Sequence, residues 1–143
     1  GKTIQPIPQA TGHGLRAVYG GAHMPESVEN LRIWQEGMQL AKDIYRASSS
    51  WPKEEVYSLS AQVRRAVVSI PANLAEGVGR GTAAELSRYS RIALGSAYEL
   101  GTLLRLARDF GYLTHANFEE LNVRVSSLAK QISAFISYQE GRK

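Results

Sequence analysis

The sequence predicts an all-α fold, an antiparallel up-down-up-down four-helix bundle. Three observations carry the prediction. Apolar residues recur at steps of three and four in four separate stretches after Glu26. No stretch shows sustained alternation of the kind a half-buried strand needs. The stretches are joined by short breaks rich in Gly, Pro and Ser, which favours neighbours packed antiparallel. Helices of about 18 to 28 residues would each be roughly 27 to 42 Å long.

Residues 1–26 lack any periodic apolar pattern and read as a flexible leader, with the bundle spanning 27–140. The stretch "GGAHM" resembles a tag remnant left before a start methionine. The first helix follows, with one stripe at Leu31, Trp34, Met38, Ala41 and Tyr45 and a second at Ile33, Leu40 and Ile44. Together they cover about half the circumference, more than one neighbour in a simple bundle requires. "ASSSWP" breaks that helix, and Pro52 suits the first turn of the next, where its missing N–H costs nothing.

The second helix carries Val56, Leu59, Val63, Ala66 and Ile70, and the apolar pattern continues past Pro71 to Leu74, which predicts a kink rather than a stop. The third runs through Leu86, Tyr89, Ala93, Ala97, Leu100, Leu104 and Ala107, and Gly111 suits a left-handed cap at its end. The fourth carries Phe118, Leu121, Val125, Leu128, Ile132 and Phe135.

At 143 residues the chain has room for one domain, and no apolar run is long enough to span a membrane. With no cysteine, disulfides, thiol catalysis and cysteine-zinc sites are excluded, which fits a reducing cytoplasm. His13, His23 and His115 are far apart and share no metal-ligand spacing, so no metal and no cofactor is expected. The formal net charge is +4, and the first 24 residues contribute Lys2 and Arg16 with no acid. The remainder is only mildly basic, so nucleic-acid binding depends on where the charges lie.

"SIPANLAEGVGRGT", residues 69–82, has the glycines of a phosphate loop but not its context. No lysine follows them, and no strand precedes them. Thr82 and Glu85 have capping-box spacing, so Thr82 opens the third helix and Gly77, Gly79 and Gly81 read as a helix-to-helix joint. Around Pro71, Arg65, Ser69, Asn73 and Glu76 share one side of the second helix. They read as a hydrogen-bonded flank that fixes packing or meets a neighbouring subunit. A catalytic reading of Glu76 lacks a second acid, histidine or metal set within its helix.

"LRIWQEGMQLAKDIYR", "AQVRRAVVSIPANLAEGVGRGT", "IALGSAYEL" and "FGYL" resemble the bacterial four-helix-bundle family whose founding members, the 23S rRNA intervening-sequence proteins, are encoded within large-subunit ribosomal RNA genes. The resemblance covers about residues 28–138. It implies a left-handed bundle assembled as a ring-like homopentamer, with no enzymatic activity. It also implies a link to nucleic acid. Related accessory proteins of diversity-generating retroelements share the bundle and bind nucleic acid and a reverse transcriptase through a basic surface. Members often carry a second acid and a glutamine after E-L, where this chain has Gly101 and Leu104.

A candidate RNA surface lies on the third helix, where Arg88, Arg91, Tyr98, Thr102 and Arg105 fall within about 100° of a helical wheel, with Arg64 and Arg80 added from the preceding element. Arginine forks suit phosphate, and a tyrosine can stack on an unpaired base. The alternative is an ordinary solvated face. Two functions follow: a scaffold holding RNA on the ring, or an adaptor that recruits a partner enzyme such as a reverse transcriptase without touching nucleic acid.

Overall fold

In the computed structural model, which describes residues 24–56 and 58–141, four α-helices account for most of the chain and no strand occurs among the described residues. They are α1 (Arg32–Ser48), α2 (Leu59–Gly79), α3 (Ala83–Asp109) and α4 (His115–Gln139), with 3-10 turns at Val28–Asn30 and Lys53–Glu55. The predicted leader lies outside the described residues up to position 23. Met24 already packs against the core and Pro25 is buried, so packing reaches ahead of Ser27.

Residue pairs along neighbouring helices run in opposite sequence order. Arg64 meets Ser48 while Pro71 approaches Gly37, which sets α1 against α2. Leu86 approaches Gly77 and Ser96 meets Ser69 between α2 and α3. Ser87 reaches Glu140 at the end of α4, and Gly101 lies near Val125. Gln131 meets Glu36 and Arg124 meets Asp43, which closes α4 against α1.

The helix ends follow local chemistry. Thr82 Oγ1 accepts the Glu85 N–H at 3.2 Å and Thr114 Oγ1 accepts the Asn117 N–H at 3.1 Å, so each hydroxyl satisfies one of the orphan donors of a first turn. Gly111 takes φ +82°, and Tyr112 N–H donates to Ala107 O at 2.8 Å, a Schellman closure of α3 that a side chain at position 111 would strain.

The core lies between the four helices, with Val63, Val67, Ile70, Leu74, Leu86, Leu100, Leu104 and Ile132 fully buried. Three sequence expectations change here. On α1 the buried line is Ile33, Gly37, Leu40, Ile44 and Ser48, whereas Trp34, Met38 and Ala41 are only half-buried and Tyr45 is exposed. The cause is Gly37. A Cβ there would lie 3.3 Å from Pro71 Cδ, so the glycine lets α1 close on α2 along that line and turns the bulkier stripe outward.

Pro52 does not begin α2. It precedes the 3-10 turn, Val56 is 50 % exposed, and the Leu59 N–H is instead capped by the Glu55 carboxylate at 3.3 Å. Nor are all three glycines in the joint. α2 runs through Pro71 to Gly79, and only Gly81, at φ +84°, requires a glycine's backbone freedom. Gly77 serves packing: a Cβ on it would fall 3.0 Å from Tyr89 Cβ and 3.2 Å from Leu86 Cα.

Candidate nucleic-acid interface

The α3 face read from the sequence is exposed along its length. Arg88, Arg91, Thr102 and Arg105 reach solvent, and Tyr98 is 65 % exposed. Arg88 and Arg105 are 17 positions apart, so they form a rail of roughly 25 Å rather than a compact patch.

Its charges are mostly committed. Arg88 pairs with Glu85 at 3.2 Å, and Arg91 holds both oxygens of the Glu140 carboxylate at 2.7 Å. Arg80 pairs with Glu76 at 3.0 Å and donates to the Tyr89 hydroxyl at 2.9 Å. The Glu76 hydrogen bond, reinforced by Tyr89, raises the Arg80 guanidinium above its ordinary pKa. The guanidiniums of Arg80 and Arg88 both lie over the Tyr89 ring, at 5.3 and 5.2 Å from its centroid, a cation–π arrangement. Periodicity marks Tyr89 as a core residue. Its half-buried position makes it the platform for two arginines instead.

The other residues are dispersed. Arg64 is turned toward α1, donating to Ser48 Oγ at 2.9 Å and to the Tyr45 carbonyl at 3.3 Å, with its guanidinium 4.7 Å from the Tyr45 ring centroid. It closes the C-terminal end of α1, where free carbonyls favour a cation. Among the described residues Arg105 donates only to the Gly101 carbonyl of its own helix, at 2.9 Å.

The polar flank of α2 divides in the same way. Ser69 Oγ and Ser96 Oγ share a 2.7 Å hydrogen bond, and Asn73 Nδ2 donates to the carbonyl and hydroxyl of Ser69 at 2.8 and 2.9 Å, a small network joining α2 to α3. Glu76 belongs to the Arg80 pair, and Arg65 is exposed without a hydrogen bond or ion pair among the described residues. No group of histidines and acids that could hold a metal occurs among the described residues. No described helix is long and apolar enough to cross a membrane.

Two surface features escaped the sequence reading. An open apolar groove of about 660 Å³ runs between α1 and α2, lined by Met38, Ala41, Tyr45, Val68 and Pro71 and rimmed by Lys42 and Arg46. A second recess, of about 520 Å³, lies where the start of α3 meets the end of α4 and includes Gln139 and Glu140. Glu140 is 49 residues from Arg91, so no spacing rule connects them.

The family model for 23S rRNA-intervening sequence proteins matches residues 29–134, about three-quarters of the chain. The chain belongs to this family. A solved structure of an unknown-function protein from the S23 ribosomal protein family of Bacteroides thetaiotaomicron VPI-5482 is similar, with 23 % identity and a TM-score of 0.68 over 73 % of this chain and 95 % of that one. At that identity the likeness speaks for the fold alone. No curated protein sequence matches the chain. The span matched by the 23S rRNA-intervening sequence protein model takes in α1, α2, α3 and most of α4, but ends before Gln139 and Glu140.

Proposed function

We propose that this family member is a non-enzymatic scaffold, an up-down-up-down bundle that assembles as a homopentameric ring and holds RNA on its basic face. The observation that carries the assembly is the outward stripe of α1. Trp34, Met38, Ala41 and Tyr45 present apolar surface beside the α1–α2 groove that the bundle's own helices leave uncovered. Surface of this kind, rimmed by polar residues, commonly marks a protein contact. The RNA half rests on the family's link to 23S rRNA and on the exposed Arg88, Tyr98 and Arg105 rail, which a ring would repeat in every subunit. The pairing of Arg80, Arg88 and Arg91 with carboxylates favours the second reading, a ring that recruits a protein partner such as a reverse transcriptase.

Light scattering should give several times the 15.7 kDa chain mass, and Met38→Glu should shift it toward one chain. A wild-type mass of one chain at micromolar concentration overturns the assembly. Filter binding to structured RNA across a salt series decides between the readings. The Arg88→Glu/Arg105→Glu variant should bind more weakly, with a log–log salt slope shallower by roughly one to two per bound subunit. Absence of wild-type binding at low salt leaves the adaptor.

A further inference from the structure

The recess between the start of α3 and the end of α4 gathers groups that suit a phosphate. Thr82 caps only the Glu85 N–H, and the amides of Ala83 and Ala84 have no acceptor among the described residues. At the start of a 27-residue helix they carry partial positive charge, the arrangement that receives anions. One turn further, Ser87 Oγ donates at 2.8 Å and Arg91 Nη2 at 2.7 Å, both to the carboxylate of Glu140. Arg88 also borders the space.

An independent observation comes from α4. Gln139 forms part of the same wall and is nine-tenths buried, with 9 % of its surface exposed. Neither its amide nitrogen nor its amide oxygen has a hydrogen-bond partner among the described residues. A shielded primary amide with donor and acceptor both unmet is costly unless something supplies the missing bonds. The volume of about 520 Å³ lies within the range of small-molecule sites.

We propose that this recess is a phosphate-binding site in which Glu140 is a resident carboxylate that the incoming phosphate displaces. Ser87 and Arg91 already hold an oxyanion, so the phosphate takes over their donors and adds the Ala83 and Ala84 amides. While Glu140 is in place the Gln139 amide is closed to solvent. Departure of Glu140 uncovers it, so that its nitrogen donates to a phosphate oxygen and its oxygen accepts from a neighbouring hydroxyl. Glu140 is the terminal cap of α4, so a change of its side-chain rotamer moves the carboxylate without unwinding the helix. Two negative features oppose binding: the charge of Glu140, which leaves with its side chain, and the negative end of the α4 dipole, which stays and which the four donors must outweigh. Glu85, paired to Arg88, is the other nearby acid. The site is therefore closed to weak anions and opens to one that makes more bonds than the carboxylate. A phosphate of the RNA backbone is the source meant here, which rests on the RNA reading above; the 2′-hydroxyl beside it supplies the donor for Gln139.

The test uses inorganic phosphate, a short single-stranded RNA and its DNA counterpart on the full chain. Phosphate should shift the amide resonances of Ala83, Ala84 and Ser87 in the wild type. Glu140→Gln, which keeps the shape and removes the charge, should tighten phosphate binding by roughly tenfold, and adding Arg91→Met should reverse that gain. Gln139→Met should lower RNA binding to the level of DNA while leaving circular dichroism unchanged. Unmoved amides in the wild type and in Glu140→Gln overturn the proposal, and that readout needs no variant to fold. If RNA binds and neither phosphate nor Glu140→Gln alters its affinity, the site falls and the RNA reading stands. If Glu140→Gln tightens phosphate but no RNA binds, the site stands and the RNA reading falls.

Discussion

Gly77 and Gly79 sit two positions apart in α2 and make opposite demands on a side chain. Alanine favours a helix interior over glycine by up to about 1 kcal/mol. Gly79 is the last residue of α2, and an added Cβ there meets nothing within 4 Å, so Gly79→Ala should stabilise by about 0.5 kcal/mol, through the stiffer unfolded chain more than through helix propensity. At position 77 it would fall 3.2 Å from the Leu86 backbone, which cannot yield as a side-chain tip can. Gly77→Ala should destabilise by about 1 to 3 kcal/mol, read from urea midpoints. Asp43 offers a second residue-scale expectation. Burial alone pushes its carboxyl up, but hydrogen bonds from Arg124 and Gln39, together with the charges of Arg124 and Arg46, outweigh burial and hold it below its ordinary value. Its contribution is therefore present above the unfolded carboxylate range and lost as pH falls through the lowered folded value. Asp43→Asn should cost up to about 1 kcal/mol at pH 7, and the two proteins should converge in stability at strongly acidic pH.

Among the elements, the apolar periodicity located all four helices, because burial on one face writes a 3.6-residue period into the chain. It could not decide which of the two α1 stripes faces inward. Both are apolar, and the deciding residue, Gly37, has no side chain for a hydrophobic pattern to register. The polar site was legible by halves. Helical spacing placed Arg88, Tyr98 and Arg105 on one exposed face, and Glu76–Arg80 and Glu85–Arg88 stand at the i,i+4 and i,i+3 spacings of helix ion pairs. No spacing could foresee Glu140 taking up Arg91, since that pair arises from helix packing. The contact of Gly37 with Pro71 is testable as a coupled pair. Gly37→Ala should destabilise, because its Cβ would press on the proline ring at 3.3 Å. Pro71→Ala removes the obstacle and restores the missing N–H, so it should keep the helical circular dichroism and relieve the Gly37→Ala penalty. A double-mutant cycle should give a coupling of about 0.5 to 3 kcal/mol, and strict additivity would refute the contact.

For the molecule as a whole, the seams between helices are chemically unequal. α2 and α3 close on one another through Gly77, Leu86 and buried aliphatic side chains. Between α1 and α4, by contrast, the Arg124–Asp43 ion pair at 2.7 Å and the Gln131–Glu36 hydrogen bond at 2.9 Å flank an open cavity of about 330 Å³. Salt screens partly exposed ion pairs but leaves apolar burial nearly untouched. The polar seam is therefore where the bundle opens, and α1, at 17 residues the shorter of the two helices it joins against 25 for α4, is the element that detaches while α2, α3 and α4 remain folded. Amide hydrogen exchange should show α1 losing protection ahead of α3, with added salt widening the gap. Equal protection in the two helices at all salt concentrations would exclude it. A bundle opened along that line would expose the inner face of α1, giving the protein a hinged side through which chains could exchange helices with their neighbours.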